Sequence, residues 1–198
     1  MRLRSESKPI ILKCHPRTPG AAVRSIAARV SSSDGALAVA YTLEGDLARI
    51  RVPEPHPPGF ADDLWKHTCF EMFVRERGAE AYREFNFSPS GEWAAYAFER
   101  YREGMRRCDG VDPRVTVRTS AVGVELDAVM PLDAIPCGAV LTVGLAAVIE
   151  DVDGTLSYWA LAHPAGKPDF HDPEAFAIEL GESGGRPRFS RLGSDPGL

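Results

Sequence analysis

Cysteine is scarce in this 198-residue chain, and its four copies (Cys14, Cys69, Cys108, Cys137) form no CxxC pair and no Cys/His cluster at zinc spacing. A disulfide framework and a structural zinc site are thereby excluded, and the cysteines read as reduced, mostly buried thiols. No broad basic face exists either: the net charge is −5, and the arginines between Arg100 and Arg107 are interrupted by acids, which argues against nucleic-acid binding. Long apolar runs are missing. The opening MRLRSESKPIILKCHP holds only Pro9 to Leu12, too short for a signal-peptide core or a membrane span, so a cytoplasmic, membrane-free setting is expected. A glycine-rich phosphate loop, a nucleophile with an obvious base and a long amphipathic helix are absent too.

What is present is a balanced globular composition, 44% hydrophobic and 26% charged. A domain of this size buries roughly 70% of the surface its unfolded chain exposes, so a stable core needs no staples. Period-two alternation dominates. Leu37, Val39, Tyr41 and Leu43 alternate with small residues, and a Glu44-Gly45-Asp46 turn leads to Ala48, Ile50 and Val52, which predicts a hairpin. The stretch 52–59 carries four prolines in eight residues and reads as an extended loop. Strands are expected at 68–75, 82–88 and 92–98 as a meander, then at 115–118, 122–130, 140–149, 155–161 and 176–180. Residues 100–109 read as a short helix or an irregular excursion, and Asp151 to Gly154 as a hairpin turn rather than a calcium loop. The fold class is therefore all-β, an antiparallel β-sandwich spanning residues 1–182 as one domain, with a flexible polar tail over 183–198.

Strand parity assigns side chains to faces. Tyr82, Glu84, Asn86 and Ser88 share one face, while Phe85 and Phe87 share the other and belong to the core. On the preceding strand Phe70, Met72 and Val74 oppose Cys69, Glu71 and Phe73, which sets a glutamate among apolar neighbours. Trp93, inside a regular strand, reads as core.

The segments LW-x-H-T-C-F-E-x-F and Y-x-E-F-N-x-S-P-S-G-x-W-A-A-Y, from Leu64 to Tyr96, resemble the DOMON-like domains related to family 9 carbohydrate-binding modules. Such a resemblance implies a jelly-roll-type β-sandwich that binds sugars or haem. In the sugar-binding relatives two tryptophans clamp a terminal sugar while an acid, a basic residue and amides bind its hydroxyls. Trp65 and Trp159 match the clamp, Glu71 the acid and Asn86 the amide; Glu84 stands where those relatives carry arginine, replacing a donor with an acceptor. Arg83 and Lys167 are secondary candidates.

The expected function is thus non-catalytic binding of a small carbohydrate or sugar-derived metabolite, with no cofactor, no metal and the oligomeric state open. Three alternatives stand beside it. The haem reading implied by the resemblance draws its ligands from Met72, His67, Met105 and His163. A glycosidase would use Glu71 and Glu84 as its paired acids. A protein-interaction module would use a sheet edge or the loop around His56.

Overall fold

The computed structural model describes residues 3–33, 35–136, 140–183 and 186–192. Along the chain the strands are β1 (Leu3–Glu6), β2 (Ile10–Ile11), β3 (Lys13–Cys14), β4 (Val23–Ser33), β5 (Ala36–Gly45), β6 (Cys69–Glu76), β7 (Tyr82–Phe87) and β8 (Trp93–Phe98). They continue with β9 (Arg106–Arg107), β10 (Arg114–Ser120), β11 (Gly123–Pro131), β12 (Val140–Glu150), β13 (Leu156–Ala160), β14 (Ile178–Ser183) and β15 (Arg186–Arg191). Among the described residues, helical structure is confined to three single-turn 3₁₀ segments at Leu64–Lys66, Leu132–Ala134 and Pro173–Ala175.

The paired strands run antiparallel throughout the described residues. One sheet runs β1-β4-β5-β11-β10, with β2 on β4; the other runs β15-β14-β12-β6-β7-β8-β9, with β13 on β12 and β3 on β13. The chain is an all-β sandwich.

Alternation explains how the layers meet. Leu37, Val39, Tyr41 and Leu43 of β5 and Val124, Leu126, Ala128 and Met130 of β11 point to the same side as Ile26, Ala28 and Val30 of β4. They pack on Phe70, Met72 and Val74 of β6, Phe85 and Phe87 of β7 and Leu145, Ala147 and Ile149 of β12. Burying each large apolar side chain contributes about 1.5–3 kcal/mol relative to leaving it in water. Tyr41 spans the layers, stacking on Phe70 and donating its hydroxyl to the Glu71 carbonyl at 2.6 Å.

The nine-stranded sheet is covered on its other face as well. Phe73, Tyr82, Ala94, Tyr96, Phe98, Ala146, Val148 and Ala160 form a second apolar cluster there, closed over by Phe170 and Phe176. This double burial makes β6 and β8 near-continuous apolar runs.

Several sequence expectations are corrected. Residues 48–52 are not the second arm of a hairpin: only an isolated bridge from Ile50 to Asp151 remains, and β5 pairs with β4 and β11 instead. Three strands in one layer thus replace the predicted hairpin, because β5 presents Leu and Val to a layer that needs a partner on both edges. Of the two readings for residues 100–109, the irregular excursion is the one found: a turn leads into β9. The tail expected from 183 onward is in part a strand, since β15 pairs with β14 from Ile178↔Arg191 to Ser183↔Arg186. Residues 193–198 and Cys137 lie outside the described residues, whereas Cys14, Cys69 and Cys108 are free thiols.

Candidate functional site

A cavity of about 700 Å³ opens on the outer face of the nine-stranded sheet. Its floor is Glu71 of β6 and Glu84 of β7; its walls are Tyr96 and Phe98 of β8, Val148 of β12 and Leu156 and Tyr158 of β13. Three loops close the rim with Trp65, Arg102 and His171. Strand register brings these together: Glu84 pairs with Phe73 on one side and Tyr96 on the other, while Glu71 pairs with Asn86, one step along the same face.

The two floor carboxylates are both buried. Glu71 is only 3% exposed, and its Oε1 has no hydrogen-bond partner among the described residues. Burial, reinforced by the neighbouring Glu84 charge, pushes the Glu71 carboxyl well above the ordinary carboxylate range, with Arg102 opposing. Burial likewise pushes Glu84 up to about 7, against the lowering effects of an Asn86 hydrogen bond and of Arg102. Asn86 itself is fully buried and donates Nδ2–H to Glu84 Oε1 at 2.7 Å. It orients the acid and does not line the cavity.

Arg102 supplies a positive charge beside the floor, yet its guanidinium is held by Asp169 at 2.8 Å. Burial alone would raise the Asp169 carboxyl; hydrogen bonds from Tyr101 and Arg102 outweigh it and hold the group below its usual range. The Arg102 backbone N–H donates to the Tyr82 hydroxyl, and that hydroxyl is 2.7 Å from His171 Nδ1. His171 Nε2 lies 3.8 Å from Glu84 Oε2. Burial, with help from Arg102, drives the His171 pKa down to about 4, so the ring is neutral at pH 7 and this contact is no ion pair. A neutral ring accepting from Tyr82 at Nδ1 carries its proton on Nε2, turned toward Glu84.

Arg102 (φ 55°) and Asp63 (φ 61°) are the non-glycine residues with left-handed backbones among the described residues, and both line the cavity. Such a conformation costs about 1–2 kcal/mol for a residue with a Cβ. Strain of this kind collects where surrounding structure imposes it, commonly at ligand sites.

The sequence candidates fare differently. Glu71, Glu84, Trp65 and Lys167 all border the cavity. Trp65 stands at the rim, 44% exposed, with the Lys66 ammonium 5.2 Å from its ring centroid. Trp159 does not border the cavity. It is buried in the inter-sheet core, its Nε1 donating to Ser157 Oγ at 3.0 Å, and its neighbour Tyr158 takes the cavity face one register position away. Arg83 also points away, toward the Asp133 carbonyl; the cation beside the floor is Arg102. Trp93 is core, paired in register with Phe87.

The four haem candidates do not converge. Met72 is buried between the sheets, His67 pairs with Glu150 at 2.8 Å and His163 packs edge-on against His15. Met105 alone borders the cavity, so the residues present do not fit axial ligation. Asp151 to Gly154 is a hydrogen-bonded turn, and no group of three metal-ligating side chains occurs among the described residues.

Arg102, His171, Tyr158 and Asp169 belong to the site although none of them is a sequence candidate, and Tyr96, also of the site, closes the second quoted motif. Arg102, His171 and Asp169 reach it from loops, whereas Tyr158 lies on the second arm of the hairpin that the Asp151–Gly154 turn predicts, where β13 pairs with β12. Tyr96 carries a second signal: its period-two position matches Glu84 across the meander.

Fold and site together define an antiparallel β-sandwich with a polar-floored, aromatic-walled cavity on its outer sheet face. No known family model matches the sequence, and no curated protein matches it. Solved structures do. A crystal structure of a proposed carbohydrate-binding protein from Bacteroides uniformis ATCC 8492 superposes with a TM-score of 0.64 at 15% identity, covering 86% of this chain and 83% of that one. A family 9 carbohydrate-binding module from Caldicellulosiruptor kristjanssonii aligns in two complexes. With cellotriose the TM-score is 0.49 at 13% identity, covering 80% of this chain and 74% of that one. With glucose it is 0.44 at 14%, covering 80% and 79%. The Bacteroides protein shares the fold of this chain, and at 15% identity the likeness is one of fold alone.

Proposed function

We propose that the outer-face cavity binds a small carbohydrate or sugar-derived metabolite without turning it over. The observation that carries this reading is the pair of buried acceptors, Glu71 and Glu84, at the floor of a cavity walled by Tyr96, Phe98 and Tyr158 and rimmed by Trp65. A sugar ring offers both halves of that surface, hydroxyls for the carboxylates and an apolar CH face for the aromatics. The carbohydrate-binding role proposed for the Bacteroides protein of like fold points the same way. In this reading Tyr158, which lines the same cavity as Trp65, takes the second aromatic role that the sequence assigned to Trp159. A soluble ligand suits the cytoplasmic setting that forms part of this proposal, which the free thiols among the described residues support.

The test is calorimetric titration of the purified chain with glucose, galactose, mannose and their disaccharides, repeated for Tyr158→Ala. Saturable binding to one of these, weakened about tenfold or more in the variant, is the expected result. Heats indistinguishable from dilution across the panel, together with a Soret band on adding haem, would overturn it.

A further inference from the structure

Charge pairing around the cavity is uneven. Lys66 is taken by Asp63 at 2.6 Å and Arg102 by Asp169 at 2.8 Å. Asp62 accepts the Tyr96 hydroxyl. These pairings leave Glu71 and Glu84 as two adjacent buried carboxylates without a cation of their own among the described residues, and Glu71 Oε1 without any partner there. Lys167 borders the cavity from an exposed loop position.

A buried carboxylate oxygen without a hydrogen bond is costly, and two such acids side by side repel when both are charged. Neutral hydroxyls offer each acid one donor and leave the pair to relieve that repulsion by holding a proton. An ammonium offers three donors and a positive charge from one atom, which satisfies the orphan oxygen and screens the pair. We infer that the ligand carries a protonated primary amine, an amino sugar whose ammonium seats between Glu71 and Glu84. This deepens the carbohydrate reading and rests on it.

Seating the cation has a proton consequence that a neutral sugar lacks. Around the pair stand Arg102 and neutral His171 from the loops, Tyr82 of β7, Tyr96 of β8 and Tyr158 of β13; the Cys69 thiol lies beside Asn86. None of them is an acid free to neutralise an incoming ammonium. The displaced charge is therefore a proton held by Glu71 or Glu84, released to solvent as the amine binds.

The experiment titrates the chain at pH 7 with glucosamine against glucose, galactosamine against galactose and mannosamine against mannose, in two buffers of different ionisation enthalpy. At least one amino sugar is expected to bind about tenfold or more tightly than its parent sugar, with net proton release. Glu71→Gln should bring the pair of affinities together, and Glu84→Gln serves the same purpose if the first variant does not fold. Equal affinity for amine and parent, or binding without proton release, overturns the amine inference while leaving the carbohydrate reading intact. Absence of binding by every member of the panel removes both.

Discussion

Glu84 and His171 face each other across 3.8 Å, and their proton affinities are displaced in opposite senses. Burial lifts Glu84 from 4.5 to about 7, so between those values the folded chain keeps a proton that the unfolded chain has lost. Its contribution to stability is complete below pH 4.5 and is lost as pH rises toward 7. Burial lowers His171 from 6.5 to about 4, so the unfolded chain holds the extra proton in that window. Its contribution is complete above pH 6.5 and is lost as pH falls toward 4. Each window is worth on the order of 3 kcal/mol, and the two largely offset. Thermal melts from about pH 7 to about pH 4.5 should expose the balance. Relative to the parent chain, Glu84→Gln should lose ground as the pH falls and His171→Gln should gain it, by about 2–4 °C per kcal/mol. Parallel curves for all three proteins would show that neither group titrates as its burial requires.

Among the elements, the excursion between β8 and β9 does the most with the least regular structure. It turns through Arg102 in a left-handed conformation and through Gly104 at φ 66°, and it delivers the Arg102 guanidinium to the cavity. A Cβ on Gly104 would stand 2.5 Å from the Glu99 side chain as well as in a backbone region L-residues avoid. Gly104→Ala is therefore expected to cost about 1–2 kcal/mol and to displace Arg102. Ligand affinity should fall while the melting transition stays cooperative. Unchanged affinity would mean that Arg102 holds its place through Asp169 alone.

This excursion also marks where the sequence stops being readable. Strand parity separates Phe85 and Phe87 from Glu84 because a period of two needs no knowledge of partners. Matching the motif by residue type puts Trp159 on the wrong face, whereas Ser157, Trp159 and Leu161 share the inward parity. Arg102 and His171 come from loops distant in sequence from at least one of the floor acids, and only the folded register brings them within reach. The hairpin expected over 37–52 does not form for a similar reason: β4, rich in serine and alanine, lacks the strong alternation that advertises a strand, yet it is the true neighbour of β5.

At the scale of the molecule, one sheet serves two interiors. Its inner face is packed against the six-stranded layer and holds Trp159 and Trp93, while its outer face holds the cavity, with Trp65 exposed at the rim. The three tryptophans consequently report on different events. Trp93 and Trp159, buried in apolar surroundings, should emit in the blue and shift only when the sandwich unfolds. Trp65 should emit in the red and respond to ligand. Trp65→Phe is thus expected to abolish ligand-induced fluorescence change while preserving the unfolding signal and a melting temperature close to the parent's, because an exposed substitution usually changes stability by about 0.5 kcal/mol or less. Phe85→Ala should do the reverse. It opens a core cavity worth about 3–5 kcal/mol of destabilisation, and the protein that remains folded should bind with unchanged affinity. A ligand response that survives in the Trp65 variant would mean that binding reaches the inner face, and the two sides of the sheet would then be energetically coupled.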